Sequence, residues 1–157
     1  MKRPTTDLAR VCEALNEHGA RYLLVGASAL QLWGTTRATR DIDILVEPSV
    51  ENCRLVLAAL AEVGMGLARE WLAEEVAKKP VTIIGDWPRV DILTVAWSVP
   101  YKHAGPRAVV FEIEGVPIPT ASIDDLIASK RTGRLQDAAD IEVLEEIKRL
   151  RASGGSG

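Results

Sequence analysis

The chain has 157 residues, of which 47% are hydrophobic and 26% charged, with a net charge of −3. These values suit one domain with one core and exclude a disordered chain, and the acidic balance excludes a broad nucleic-acid surface, which would be basic over most of its area. No apolar run has the length of a membrane span or a signal h-region, so a cytoplasmic protein without membrane contact is expected.

Residues 5 to 18 carry an amphipathic pattern opened by Thr5 or Thr6 and stopped by Gly19, which predicts a helix. Tyr22 to Val25 reads as a short apolar strand broken by Gly26, and Ser28 to Trp33 as a short helix. A loop over 34 to 39 carries Arg37, with Arg40 at its edge. In the strand predicted over Asp41 to Val46, Ile42, Ile44 and Val46 alternate with Asp41, Asp43 and Leu45. Pro48 and Ser49 open a helix over 49 to 63, and a weaker helical pattern covers 67 to 79.

Val81 to Ile84 and Arg89 to Val95 read as strands joined by the turn Gly-Asp-Trp-Pro. Residues 97 to 106, with two prolines and a glycine, read as loop. Ala108 to Ile113 and Val116 to Ile118 flank Glu114-Gly115 as a second hairpin. Ser122-Ile-Asp-Asp125 is a capping box, and a last helix spans 135 to 150. The expected architecture is α/β (α+β), a mixed β-sheet with helices packed on it, as a single domain over 1–152 with a flexible tail over 153–157. There is no regular β-α alternation and no glycine-rich dinucleotide or Walker A motif.

Cys12 and Cys53 fall on apolar helix faces and read as buried free thiols. His18 and His103 belong to no metal-ligand spacing, so zinc is not indicated. Trp33, Trp71, Trp87 and Trp97 read as packing residues, with Trp97 also able to stack on a base.

The chemistry concentrates in residues 25 to 46. Side chains two apart on a strand share a face, so Asp41 and Asp43 project together while Ile42 and Ile44 enter the core. Neighbouring carboxylates repel unless a cation lies between them, and all-oxygen ligation suits Mg²⁺ or Mn²⁺ with substrate phosphates completing the shell. Gly26 at a strand-to-helix junction permits close approach by a phosphate, and Ser28 either caps the helix or donates its hydroxyl. Arg37 and Arg40 either neutralise phosphate charge or are loop arginines. Asp91 breaks an apolar strand, either as a third carboxylate for two-metal phosphoryl transfer or as an ordinary partner of Arg89.

"LVGASALQLWGTTRATRDIDILV", followed about fifty positions later by "RVDIL", resembles the polymerase-β-like nucleotidyltransferase superfamily. More narrowly it is similar to small bacterial members related to abortive-infection nucleotidyltransferase toxins, which share the Arg-x-Thr-x-Asp-x-Asp run and a later helix like "SIDDLIASKRTGRLQDAADIEVL". The resemblance covers residues 20 to 147. It implies a nucleotide-binding loop of Gly26, Ala27 and Ser28, metal ligation by Asp41, Asp43 and Asp91, and a triphosphate or acceptor contact at Lys130. It also implies transfer of NMP from an NTP to a hydroxyl on an unknown acceptor, with a protein partner or homo-oligomer possible. Ala27 stands where the family usually carries Gly or Ser, and Gln136 where relatives often carry Lys before the residue matching Asp137. The alternative is a catalytically inactive nucleotide-binding or interaction partner, as in a toxin–antitoxin pair. Lys130, Arg131 and Arg134 also fit a solvated helix end.

Overall fold

The computed structural model describes residues 3–35, 39–96 and 98–154. Helix α1 (Asp7–Glu17) starts where the Thr6 hydroxyl accepts from the Ala9 amide, and Gly19 at φ +70° follows its end. Strand β1 (Tyr22–Val25) is buried along its whole length. Helix α2 (Gly26–Trp33) begins at once, two residues before the sequence suggests, because Gly26 at φ +68° turns the chain without a linker. Ser28 therefore lies inside the first turn and does not cap the helix; Val25 occupies the cap position without a side-chain bond. Strand β2 (Ile42–Val46) starts one residue after Asp41, and α3 (Val50–Val63) is capped by Ser49, whose hydroxyl accepts from the Asn52 amide.

The helix predicted over 67 to 79 is divided. A 3-10 turn covers Leu67–Glu70 and α4 covers Ala73–Lys78, with Trp71 and Leu72 extended between them. A neighbouring turn anchors the start of the 3-10 segment: Asp86 accepts from the amides of Met65 and Leu67 at 2.8 and 3.2 Å. Strands β3 (Val81–Ile84) and β4 (Val90–Leu93) form the expected hairpin, but the chain leaves the sheet after Leu93. Val95–Ala96 (β5) pairs instead with Val99–Pro100 (β6), and the presumed loop holds α5 (Tyr101–Ala104) and a 3-10 turn over Gly105–Arg107. Its prolines open these turns rather than prevent them, since Pro at the cap or within the first turn of a helix loses no intrahelical bond.

Strands β7 (Val109–Ile113) and β8 (Val116–Thr120) are joined through Glu114 and Gly115, and β8 runs two residues further than expected. Helix α6 (Ile123–Ser129) is capped by Ser122, and α7 (Leu135–Ser153) absorbs the first residue of the expected tail. Residues 155–157 of that tail, Arg37 and Trp97 lie outside the described residues.

The six-stranded mixed sheet runs β3-β4-β2-β1-β8-β7, with β2–β4 and β1–β8 parallel and the other pairs antiparallel. One face packs on α1, α3 and α4: Tyr22 reaches Asn16 of α1, and Ile44 and Ile92 are fully enclosed. The other face carries Asp43 and Asp91, and the end of α6 and start of α7 line a cavity beside Asp43. Polar clamps fix this frame. The buried Asn52 amide accepts from the Arg21 amide at 2.7 Å and donates to the carbonyls of Arg21 and Glu47 at 2.9 Å each. Glu114 receives the amides and hydroxyls of Thr5 and Thr6, which hold its carboxyl down at about 2. Trp33 donates its indole N–H to the Ala121 carbonyl at 3.0 Å, and so ties α2 to the start of α6. Cys12 and Cys53 are buried and free, and burial pushes the Cys12 thiol up to about 12.

Candidate active site

Asp43 on β2 and Asp91 on β4 are register partners on adjacent parallel strands, so their side chains leave the same face side by side. Ile42, Ile44, Val90 and Ile92 alternate with them into the core. Beyond Asp43, across the antiparallel β1–β2 pair, stands Val25 and then Gly26. The carboxylate of Asp43 lies directly on Gly26: a Cβ there would come within 2.1 Å of Asp43 Oδ2. The glycine is thus demanded twice, by its positive φ and by the acid packed against it.

Burial raises Asp43 to about 6, and the negative charges of Asp91 and Asp41 add to the rise. Asp41 precedes β2 and is exposed. Arg89 answers part of this charge. It forks Asp91 with bonds of 3.0 and 3.2 Å and approaches Asp41 Oδ1 to 4.0 Å. Arg89 lies two residues before Asp91, just ahead of β4, so the alternative pairing for Asp91 is realised, on an interior strand.

Two open cavities flank the acids. One of about 450 Å³ is bounded by Ser28, Arg40, Asp41, Arg89 and Trp87. Ser28 is buried, and its hydroxyl donates to the Asp41 carbonyl at 3.5 Å. Trp87, expected to pack, is 77% exposed at this rim; its place in a turn was the signal for that. The other cavity, about 270 Å³, is lined by Gly26, Asp43, Lys130, Arg134 and Asp137. Lys130 points between Asp137 Oδ1 at 3.4 Å and Asp140 Oδ2 at 3.1 Å. Asp137 also accepts from Thr132 and Arg134, which keep it below the usual carboxylate range. This cluster joins the turn after α6 to the first turns of α7; the sequence points to Lys130, Arg134 and Asp137 there but not to Thr132 or Asp140.

The structure therefore brings together Gly26, Ala27, Ser28, Asp41, Asp43 and Asp91, with Arg40 and Lys130 on opposite flanks. Among the described residues no three His, Cys, Asp or Glu side chains are already arranged as around a bound ion. The donor set is nonetheless the right kind for a hard divalent cation. Asp43 and Asp91 are within hydrogen-bonding reach of each other and offer only oxygen, and substrate phosphates could complete the coordination.

No helix of the described chain is long and apolar enough to cross a membrane. No family model matches the chain, and no curated protein matches it.

Proposed function

We propose that the chain is a metal-dependent nucleotidyltransferase that moves the NMP group of an NTP to an acceptor hydroxyl and releases pyrophosphate. The observation that carries this reading is the pair Asp43–Asp91 set side by side against Gly26 at the start of α2. Mg²⁺ or Mn²⁺, when bound, would supply positive charge that neutralises the triphosphate and the acids together. Asp41 and Asp43 would hold it with the phosphates. The first-turn amides of Gly26, Ala27 and Ser28, which no side chain caps, face anionic oxygens with the positive end of the helix. Asp91 takes the proton of the acceptor hydroxyl as its oxygen bonds to the α-phosphorus and the bond to pyrophosphate breaks. Arg89 then turns from Asp91 towards phosphate, a move its half-exposed side chain permits.

Incubation with each α-labelled NTP and a cell extract tests this: label should pass to an acceptor in the presence of Mg²⁺. Asp91→Asn should retain the fold and lose transfer by at least about a thousandfold. Full transfer by that variant overturns the reading. One observation favours the inactive alternative: Arg89 and Lys130 are already occupied by Asp91, Asp137 and Asp140. Calorimetry with Mg–ATP decides here, because Mg–ATP binding without label transfer to any acceptor supports that second reading.

A further inference from the structure

The turn between β3 and β4, Gly85 to Arg89, carries a tryptophan where turns favour small or polar residues. The indole of Trp87 meets neither an aromatic ring nor a cation among the described residues. The other two described tryptophans are both engaged. Trp33 is buried, edge-on to Phe111, and Trp71 is half-buried beneath the Lys79 ammonium. A lone exposed apolar residue is common and needs no role. Trp87 differs in its setting.

Its backbone is pinned on both sides. Before it, the buried carboxylate of Asp86 accepts from the amides of Met65, Leu67 and Trp87 itself, at 2.8, 3.2 and 2.7 Å. After it, Arg89 is forked onto Asp91. The ring therefore stands on a turn held in place, as a preorganised contact requires. It also borders the 450 Å³ cavity, together with Ser28 in the first turn of α2, Arg40, Asp41 and Arg89. That volume lies within the range of about 300–1,000 Å³ usual for small-ligand sites, and the 270 Å³ cavity beside Lys130 lies below it.

We propose that Trp87 is the platform on which the base of the bound nucleotide stacks, and that it gives the site a preference for purine over pyrimidine triphosphates. The inference rests on the nucleotidyl-transfer reading for the identity of the ligand. One cavity then offers what each part of such a molecule needs. The uncapped first turn of α2 and the guanidiniums of Arg40 and Arg89 suit phosphates, Asp41 suits their metal, and the indole suits a flat ring. Every base has a π-face, so a tryptophan accepts all four. The bicyclic purines cover more of the indole and stack on it more strongly.

Calorimetry of the full chain with Mg–ATP, Mg–GTP, Mg–CTP and Mg–UTP, without acceptor, tests this. Wild type should bind the two purine nucleotides at least about threefold more tightly than the pyrimidine ones. Trp87→Ala should weaken the purine nucleotides about ten- to a hundredfold and bring all four within about twofold of one another, with circular dichroism and melting point unchanged. Trp87→Phe keeps a π-face and should recover most of the affinity. Mg–ATP should quench the tryptophan emission of wild type, and that quenching should vanish in Trp87→Phe. Equal affinities of wild type and Trp87→Ala for every NTP overturn the inference, and with label transfer still proceeding they leave the catalytic reading intact. Should the alanine variant misfold, wild-type emission unquenched by bound Mg–ATP overturns it instead. Trp87-dependent binding without label transfer to any acceptor supports the platform and overturns catalysis. A chain that binds no NTP overturns both.

Discussion

Replacing Asp43 by asparagine should stabilise the metal-free protein, and by an amount that depends on pH. The acid titrates at about 6 in the fold against 3.8 ordinarily, because burial and the charges of Asp91 and Asp41 disfavour its ionised form. A raised carboxyl makes the native state bind more protons than the unfolded chain, so stability falls as pH rises through the window between those two values. Two pK units at about 1.4 kcal/mol each give a total near 3 kcal/mol, an upper figure since solvent still reaches the group. Asparagine keeps the shape over Gly26 and cannot ionise. Urea unfolding of both proteins across a pH series isolates the effect, because titrations elsewhere cancel in the difference. The variant should match wild type near pH 4 and exceed it by about 2–3 kcal/mol near pH 8. Adding Mg²⁺ at pH 8 should stabilise wild type and not the variant. A difference that stays flat with pH would refute the idea that Asp43 is held against its own charge.

Gly26→Ala should cost more than about 2 kcal/mol, since the new methyl meets Asp43 Oδ2 at 2.1 Å and the backbone sits at φ +68°. In an Asp43→Ala background the same change should cost only about 1 kcal/mol, a difference that urea unfolding of the four proteins resolves. Asn52→Ala should cost about 2–4 kcal/mol by the same measurement, because it strands the Arg21 amide and two carbonyls in the interior while leaving the acidic face untouched.

The strands of the sheet and the meeting of Asp43 with Asp91 were legible because period-two alternation assigns faces from the sequence alone. Asp43 and Asp91 each interrupt an apolar run, and alternation about them keeps Ile42, Ile44, Val90 and Ile92 inside, whereas Asp41 follows Arg40 ahead of β2. What escaped the sequence was set by contacts distant along the chain. Asp86 fixes the start of the 3-10 segment at Leu67 by binding amides about twenty residues earlier. Val95 leaves β4 for a two-residue partner at Val99–Pro100, although its own propensity is that of a strand. The acids around Lys130 converge only because a turn at Gly133 folds α7 back towards α6. Ser28 looks like a cap by composition, and only the positive φ of Gly26, which starts the helix early, removes it from that role.

The polar clamps explain why such a site is tolerable. A domain of this size has only about 5–15 kcal/mol of net stability, so an acid held two pK units off its ordinary value consumes a real fraction of it. The offsetting interactions lie away from the acidic face. Asn52 joins α3 to β1 and the end of β2, Glu114 joins the β7–β8 turn to the start of α1, and Asp86 joins the β3–β4 turn to the end of α3. Each binds backbone amides or carbonyls that another element would leave unpaired, so each fixes a position as well as adding stability. Because they anchor the strands from outside, the carboxylates of Asp43 and Asp91 cannot relieve their repulsion by moving β2 and β4 apart. Protonation, Arg89 or an added cation must do it, and that makes the pair responsive to whatever positive charge arrives.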